Sequence, residues 1–388
     1  MATALGDVLV LDFSRILAGP LATMLLADHG ATVIKVERPG NGDDTRSWGP
    51  PHDAEGTATY FLALNRGKRS VALDLADPEG LEAARALAAR ADVVVENFRP
   101  GVIERLGLSY DELAARNPRL VYCSVNAFGA GAGARMPGYD LLLQALGGLM
   151  SITGEPDGEP QKVGVALVDV IAGLHATSGI LAALRHRDAT GAGQRIEVDL
   201  LSSVLSALVN QASAYTAAGV VPGRMGNAHP SIAPYELFAT AEGELVLAVG
   251  NDRQFADLCR VIGASELAGD ERFATNEARV ANRDELRALL ERRLAAAAAA
   301  DWLDPLLDAG VPAGQVNDVA GAFALAERLG LEPIVELARE RGEPVRLARN
   351  PVRMTATPPH PQAPPPELGE LDPAAALALA DELRASHG

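Results

Sequence analysis

The chain has 388 residues, 48% hydrophobic and 22% charged, which excludes a wholly disordered protein and supplies apolar surface for one large domain and a smaller one. Its 34 Lys and Arg face 51 Asp and Glu, a formal charge of −17, so phosphate backbones and anionic lipid are repelled and neither nucleic acid nor a membrane is an expected partner. Two cysteines, Cys123 and Cys259, make no CxxC pair and no disulfide or zinc spacing, the usage of a reduced, cytoplasmic chain.

The first residues lack the basic-then-apolar order of a secretory signal and read as a first strand. Short β-branched runs at 8–11, 32–36, 70–73, 93–96, 120–124 and 195–199 alternate with Ala/Leu-rich stretches. Strands alternating with helices at this spacing predict an α/β domain with a mainly parallel sheet. The predicted helices are 21–28, 78–89, 110–116, 139–147 and 170–187, with a long apolar helix over 200–218. Asp77-Pro78-Glu79 is a helix start with a cap, a proline at the first position and an acid in the first turn, and Ser109 to Glu112 is similar. The apolar stretch 163–184 is long enough to suggest a membrane span, but it holds Asp169 and has no basic flank. A carboxylate there would cost roughly 2.5–3.5 kcal/mol on insertion scales, so a buried core helix is expected.

From 219 to 234 the sequence turns rich in Gly, Pro, Asn and His, the composition of a hinge or an active-site loop. Beyond it, 244–249 alternates as a strand, 254–262 is a short helix, and 283–294 is a helix capped by Asn282 that the alanines 295–300 extend by propensity. Strand-like pieces return after 330, a proline-rich extended crossing covers 358–366, and a helix closes the chain after Asp372. The expected domains are therefore 1–222, 223–329 and 330–388, the last returning to the first.

The opening strand, turn, helix and second strand ending in Glu37 imitates a dinucleotide-binding unit, but its turn, Ser14 to Pro20, has one glycine followed by a proline that lacks an amide hydrogen. Pyrophosphate needs the backbone amides of G-x-G-x-x-G, so nicotinamide binding of the usual kind is not expected. Walker A, HExxH and G-x-S-x-G motifs are also missing from the sequence.

Six strings in chain order carry a resemblance: Gly30 to Pro39 with Gly42-Asp-Asp-Thr-Arg46, Asn65 to Ser70, Val95 to Gly101, Pro137-Gly-Tyr-Asp140, Gly226-Asn-Ala-His-Pro230 and Gly250-Asn-Asp252. Together they resemble the class III (family III, CaiB/BaiF-type) CoA-transferases over nearly the whole chain. The resemblance implies a Rossmann-like large domain built from both chain ends, a smaller α+β domain between, and an interlocked homodimer. It also implies coenzyme A or an acyl-CoA as substrate rather than a resident cofactor, a small carboxylic acid as the other substrate, and no metal.

Asp169, set among apolar residues ahead of a Gly-rich helix, falls where the family carries its nucleophilic aspartate; the residues alone also allow it to be that helix's N-cap. A carboxylate suits the chemistry, because moving CoA between acids without ATP requires the thioester energy to be held in an anhydride or thioester on the enzyme. Arg38, Leu73, Asn97, Phe98 and Arg105 fall at positions that hold the adenine and phosphates in the family. The run from Lys35 to Arg69 has six basic residues against five acids, local compensation for the anionic ligand. The amides around Gly226 and Asn227 are candidate oxyanion donors.

Two departures narrow the reading. Racemases of the superfamily carry Gly-His-Asp where this chain has Gly138-Tyr139-Asp140, and tyrosine, with an ordinary pKa near 10, is a poor base at neutral pH. Formyl-CoA transferases carry glutamine where Leu17 stands, and a glycine run that this chain lacks. The function expected is CoA transfer from a donor such as succinyl-CoA to a dicarboxylate; a 2-methylacyl-CoA racemase-like enzyme or a non-catalytic CoA-ester-binding subunit is the alternative.

Overall fold

A computed structural model of the protein describes residues 3–361 and 363–387, with the side chains of 386 and 387 outside the description. Contacts within the chain separate two units: one from the chain up to Leu149, Lys162–Gly219 and everything from Glu332, the other from Met150–Gln161 and Val220–Leu331. The second therefore also takes in twelve residues, 150–161, that the sequence pattern places in the first.

The first unit is built on six strands, β1 (Leu9–Asp12), β2 (Thr32–Glu37), β3 (Lys68–Ala72), β4 (Val93–Glu96), β5 (Val121–Asn126) and β6 (Gln194–Asp199). They form one parallel sheet in the order β3-β2-β1-β4-β5-β6. This order reverses direction between β1 and β4, and ligands of open α/β sheets bind in the crevice at such a switch, beyond the carboxyl ends of the strands. The Rossmann-like expectation holds. The helices of this unit are α1 (Ala18–Asp28), α2 (Thr59–Asn65), α3 (Pro78–Ala88), α4 (Val102–Arg105), α5 (Tyr110–Ala114), α6 (Asp140–Leu146), α7 (Leu167–Thr190), α8 (Leu200–Ala207) and α9 (Val209–Ala218).

Strands buried on both faces make the β-branched runs continuous rather than alternating, and two apolar layers cover the sheet. One joins Val10, Val33, Val93 and Val121 to Leu26 of α1 and Ala172, Ala176 and Ile180 of α7; the other joins Leu11, Ile34, Val94 and Tyr122 to Leu87 of α3 and Ala380 of the helix Pro373–His387. Among the described residues α7 is the one helix long and apolar enough to cross a membrane; here that apolarity covers the sheet. The local caps form as the sequence predicts. Asp77 accepts from the amides of Glu79 and Gly80 ahead of α3, and Ser109 and Glu112 make a capping box on α5.

Three helix expectations are corrected. The stretch 200–218 is two helices, broken where Val209 takes φ 43°, a left-handed value that a β-branched residue rarely adopts. In the second unit the helix Arg283–Leu294 ends before the alanine run, and the next helix, Ala299–Asp308, starts within it. Ala241 donates to the Ala297 carbonyl and Ala299 to that of Glu242, so the backbone between the helices is spent on the neighbouring hairpin and Ala299 is buried. Tertiary hydrogen bonds override propensity here. Nor does Asn282 cap the Arg283 helix through its side chain, which instead donates to the carbonyls of Ala278 and Arg272.

The second unit holds three antiparallel strands, β7 (Tyr235–Ala239), β8 (Glu244–Ala248) and β9 (Ala313–Gly314), in that order. Its core gathers Phe238, Leu245, Leu247, Phe255, Phe273, Leu290 and Leu306. Its fully buried Arg279 is satisfied by the carbonyls of Ala233 and Phe273 and by Asp252. The chain after Glu332 returns to the first unit: Leu371 donates to Ser70, Gly67 to Ala363, and Asn350 and Arg66 both bond the buried Asp28.

Candidate active site

Two openings lie beyond the carboxyl ends of the central strands, where the strand order reverses. One, of about 390 Å³, is lined by Arg15, Leu17, Asn97, Phe98, Tyr139 and Asp169 among others. The second, of about 300 Å³, is walled by Phe13, Val36, Leu73, Leu75, Val102 and Leu106, with Arg38 at its edge. Arg15 and Phe98 line both. The first mixes charged and apolar groups and the second is mainly apolar, the character of a small-molecule site.

Asp169 stands in the first turn of α7, the third residue after the N-cap Ala166, and not at the cap. The cap is made from elsewhere. Asp140 Oδ1, at the start of α6, accepts the amides of Val168 at 2.8 Å and Asp169 at 3.3 Å. Burial, and after it the nearby Asp140 charge, push the Asp169 carboxyl from 3.8 up to about 7. Negative charge in the first turn of a helix is normally favoured; here desolvation and a like charge prevail. Both carboxylates also raise the phenol of the half-buried Tyr60 on α2, after burial. Close packing fixes the helix itself, since a Cβ on Gly173 would stand 2.8 Å from the Ala18 carbonyl oxygen.

The turn before α1 is held residue by residue. Lys35 Nζ donates to the Ser14 carbonyl at 2.8 Å. The Asn97 side chain accepts the Arg15 amide at 2.9 Å and donates to the Arg15 carbonyl at 2.7 Å. Asp43 accepts the Ile16 amide at 3.2 Å and is paired with Lys35 at 2.9 Å, both side chains fully buried. Ile16 consequently sits at φ 73°, a strained value for a β-branched residue that only a surrounding set of bonds can maintain. Leu17 and Ala18 are thereby presented to the cavity that holds Asp169.

The basic run is largely structural. Lys35 pairs with Asp43, Arg46 with Glu37, Arg66 with Asp28, Lys68 with Asp12 and Arg69 with Glu370. Of the remaining basic residues, Arg38 lines the smaller opening, and Arg99, Arg135 and Arg15, the last paired with Asp44 at 3.0 Å, line the larger. Leu17, Leu73, Asn97, Phe98 and Tyr139 all line one opening or the other; Arg105 lines neither and is exposed on α4. Gly226 and Asn227 belong to the second unit, where Gly226, at φ 59°, already donates its amide to the Gly154 carbonyl at 3.0 Å. Among the described residues no group of three His, Cys, Asp or Glu side chains is placed to hold a metal ion.

Sequence reasoning passed over Arg15, Ile16, Tyr60, Asp140 and Gln144. Asp140 lay inside a string already singled out, and its signal was an acid at a predicted helix start.

Residues 5–371 match CoA-transferase family III. A succinate-glutarate CoA-transferase of Agrobacterium fabrum is 45% identical over 372 residues, 94% of this chain and 93% of that protein. An acetyl-CoA:oxalate CoA-transferase of Acetobacter aceti is 42% identical over 344 residues, 88% of each chain. The crystal structure of a CaiB/BaiF family protein from Brucella suis superposes with a TM-score of 0.86 at 45% identity, covering 99% of this chain and 100% of that one.

Proposed function

The chain belongs to CoA-transferase family III, and on that premise we propose that it moves coenzyme A from succinyl-CoA to a dicarboxylic acid through a covalent intermediate on Asp169. The observation that carries this is the placement of Asp169: a half-buried, weakly acidic carboxyl on the wall of a cavity that shares Arg15 and Phe98 with a neighbouring apolar cleft at the sheet's switch point. The adenine would occupy the cleft beside Leu73 with its phosphates near Arg38, and the pantetheine arm would pass Phe98 toward Asp169. Asn97 acts in this reading by holding the Arg15 backbone. Arg105 is the weakest of the proposed ligand contacts, since it lies outside both openings.

The Asp169 carboxylate oxygen attacks the thioester carbonyl, the carbon–sulfur bond breaks, and CoA leaves as the thiolate from a mixed succinyl-aspartyl anhydride. The thiolate attacks the aspartyl carbonyl and releases succinate, leaving an aspartyl-CoA thioester. The acceptor carboxylate then attacks that thioester, and the same steps in reverse deliver the new acyl-CoA and regenerate Asp169. Each intermediate conserves the thioester's energy, so no ATP is consumed. Partial burial of Asp169 removes water that would otherwise hydrolyse the anhydride. An oxyanion donor is proposed from the head of α1 at Leu17, on the wall of the same cavity as Asp169. Tyr139, 64% exposed, supplies no imidazole, and no histidine lines either opening among the described residues, so no observation favours racemisation.

Isotopically labelled glutarate incubated with succinyl-CoA is expected to yield labelled glutaryl-CoA and succinate in equal amounts, with little free thiol. Hydrolysis without exchange, or transfer to oxalate in strong preference to longer acids, would overturn the assignment of mechanism or acceptor respectively.

A second copy of the chain is proposed to cover α7 and α9, as an interlocked homodimer. α9 buries none of its own residues and exposes Val209 and Tyr215 at 70% and 61%, and α7 exposes Leu174 and Leu181. Light scattering at micromolar concentration is expected to give about twice the 40.4 kDa chain mass; a monomer mass would rule the arrangement out.

A further inference from the structure

We propose that Asp140 is a positioning residue for the transfer reaction, holding the first turn of α7, and with it Asp169, through the hydrogen bonds its carboxylate accepts; this rests on the proposed role of Asp169. α7 has no cap of its own, because its N-cap residue is Ala166. In its place α6 stitches down the approach to the helix with two side chains one turn apart. Asp140 Oδ1 takes the amides of Val168 and Asp169 at 2.8 and 3.3 Å. Its Oδ2 accepts from Gln144 Nε2 at 2.6 Å. Gln144, fully buried, accepts the Val163 amide at 2.8 Å and donates to the Val165 carbonyl at 3.2 Å. Seven residues of backbone, 163–169, are thus registered against α6.

A neutral Asn or Ser could cap the same amides. A carboxylate beside a carboxylate is the costly choice, and its effect is to oppose ionisation of Asp169. Other polar groups face this site from the packed elements: Tyr60 on α2, Tyr139 ahead of α6, and Arg15, Arg99 and Arg135 along the cavity wall. Where α8 meets α7 the polar contact is His175 with Ser203, further along the helix. Of all these, Asp140 is the charge that acts on Asp169 after burial itself. Nucleophilicity of a carboxylate rises with its basicity, so an aspartate held near 7 attacks a thioester faster than an ordinary one and is still ionised in useful amount at neutral pH.

The test separates hydrogen bond from charge. With aspartate labelled at the side-chain carbonyl carbon, the Asp169 resonance is identified by its loss in Asp169→Asn and titrated in wild type, Asp140→Asn and Asp140→Ala. Asp140→Asn keeps an acceptor oxygen for Val168 but has no charge. Its Asp169 midpoint is expected to fall by about one pH unit, and the acidic limb of kcat/KM for CoA exchange to move with it, while KM for succinyl-CoA changes less than about twofold. Asp140→Ala loses the bond too and is expected to lower kcat by about 10–100-fold at every pH, with a melting transition still present. An unmoved Asp169 midpoint in Asp140→Asn, or full kcat in Asp140→Ala, would overturn the proposal. If the midpoint moves but wild type exchanges no CoA, the positioning role stands and the transferase reading alone fails.

Discussion

Asp169→Ala is expected to abolish CoA exchange, lowering kcat by roughly 10⁴-fold or more, as loss of a covalent nucleophile does. Acyl-CoA binding should survive, because the apolar cleft around Leu73 and Phe98 is untouched by the change. Wild-type protein given succinyl-CoA and quenched with hydroxylamine should carry a hydroxamate on the peptide containing Asp169, and the variant should carry none. Asp169→Glu lengthens the arm by one methylene and should retain about a hundredth of the rate, the usual effect of a displacement near 1 Å. Exchange at wild-type rate by Asp169→Ala would end the mechanism proposed above.

The same residue makes a stability prediction of opposite sign. With its carboxyl raised from 3.8 to about 7, the folded protein holds a proton between those pH values that the unfolded chain has released. Stability therefore falls as pH rises from about 4 to about 7, and the penalty is complete above 7. Asp169→Asn should raise stability at pH 8 by on the order of 2 kcal/mol and have little effect at pH 4. Denaturant unfolding at the two pH values measures both, and a variant that is destabilised at pH 8 would contradict the reading of burial and like charge.

Lys68→Ala is expected to cost about 3–5 kcal/mol, the loss typical of a buried ion pair stripped of one partner. Lys68 and Asp12 are both fully buried under the turn that precedes α1. The ammonium donates to Asp12 at 3.0 Å, to the Pro20 carbonyl at 2.9 Å and to Asn65 at 3.0 Å, which uses all three of its hydrogens. Burial draws Lys68 down to about 8, which leaves it charged at neutral pH. Asp12 also accepts from the Ser14 amide and hydroxyl and from Thr23. Burial alone would raise its pKa, but Lys68 first, then Lys35 and the two hydroxyls, hold it at about 2. Asp12 thus contributes stability that is present above about pH 4 and lost as pH falls toward 2. A chemical melt of Lys68→Ala should show the drop, and Asp12→Asn with Lys68→Met should recover much of it, because a neutral pair leaves no uncompensated charge. A loss below about 1 kcal/mol in the single variant, the size of an exposed pair, would sink the argument. Because Pro20 and Ser14 flank the turn that presents Leu17, activity should fall along with stability.

Local sequence determined a good deal of this protein. β-branched runs became the six parallel strands because a strand buried on both faces needs no alternation, and Asp77-Pro78 and Ser109 to Glu112 became helix starts because a cap is satisfied within three residues. The strings around Arg38, Asn97 and Tyr139 resemble the transferase family by themselves, and that resemblance in turn implies the role of Asp169. What the tertiary structure alone decided depends on residues brought together from distant positions. Asp140 caps a helix that begins 27 residues later, Asn97 grips the backbone of Arg15, and four of the basic residues that seemed free for an anionic ligand are spent on Asp12, Asp28, Glu37 and Asp43. The alanines after Leu294 leave the helix for a hairpin's hydrogen bonds. Charge state follows the same rule. The basicity of Asp169 arises from the solvent removed around it and from a second carboxylate 29 positions away, neither of which its sequence neighbours encode.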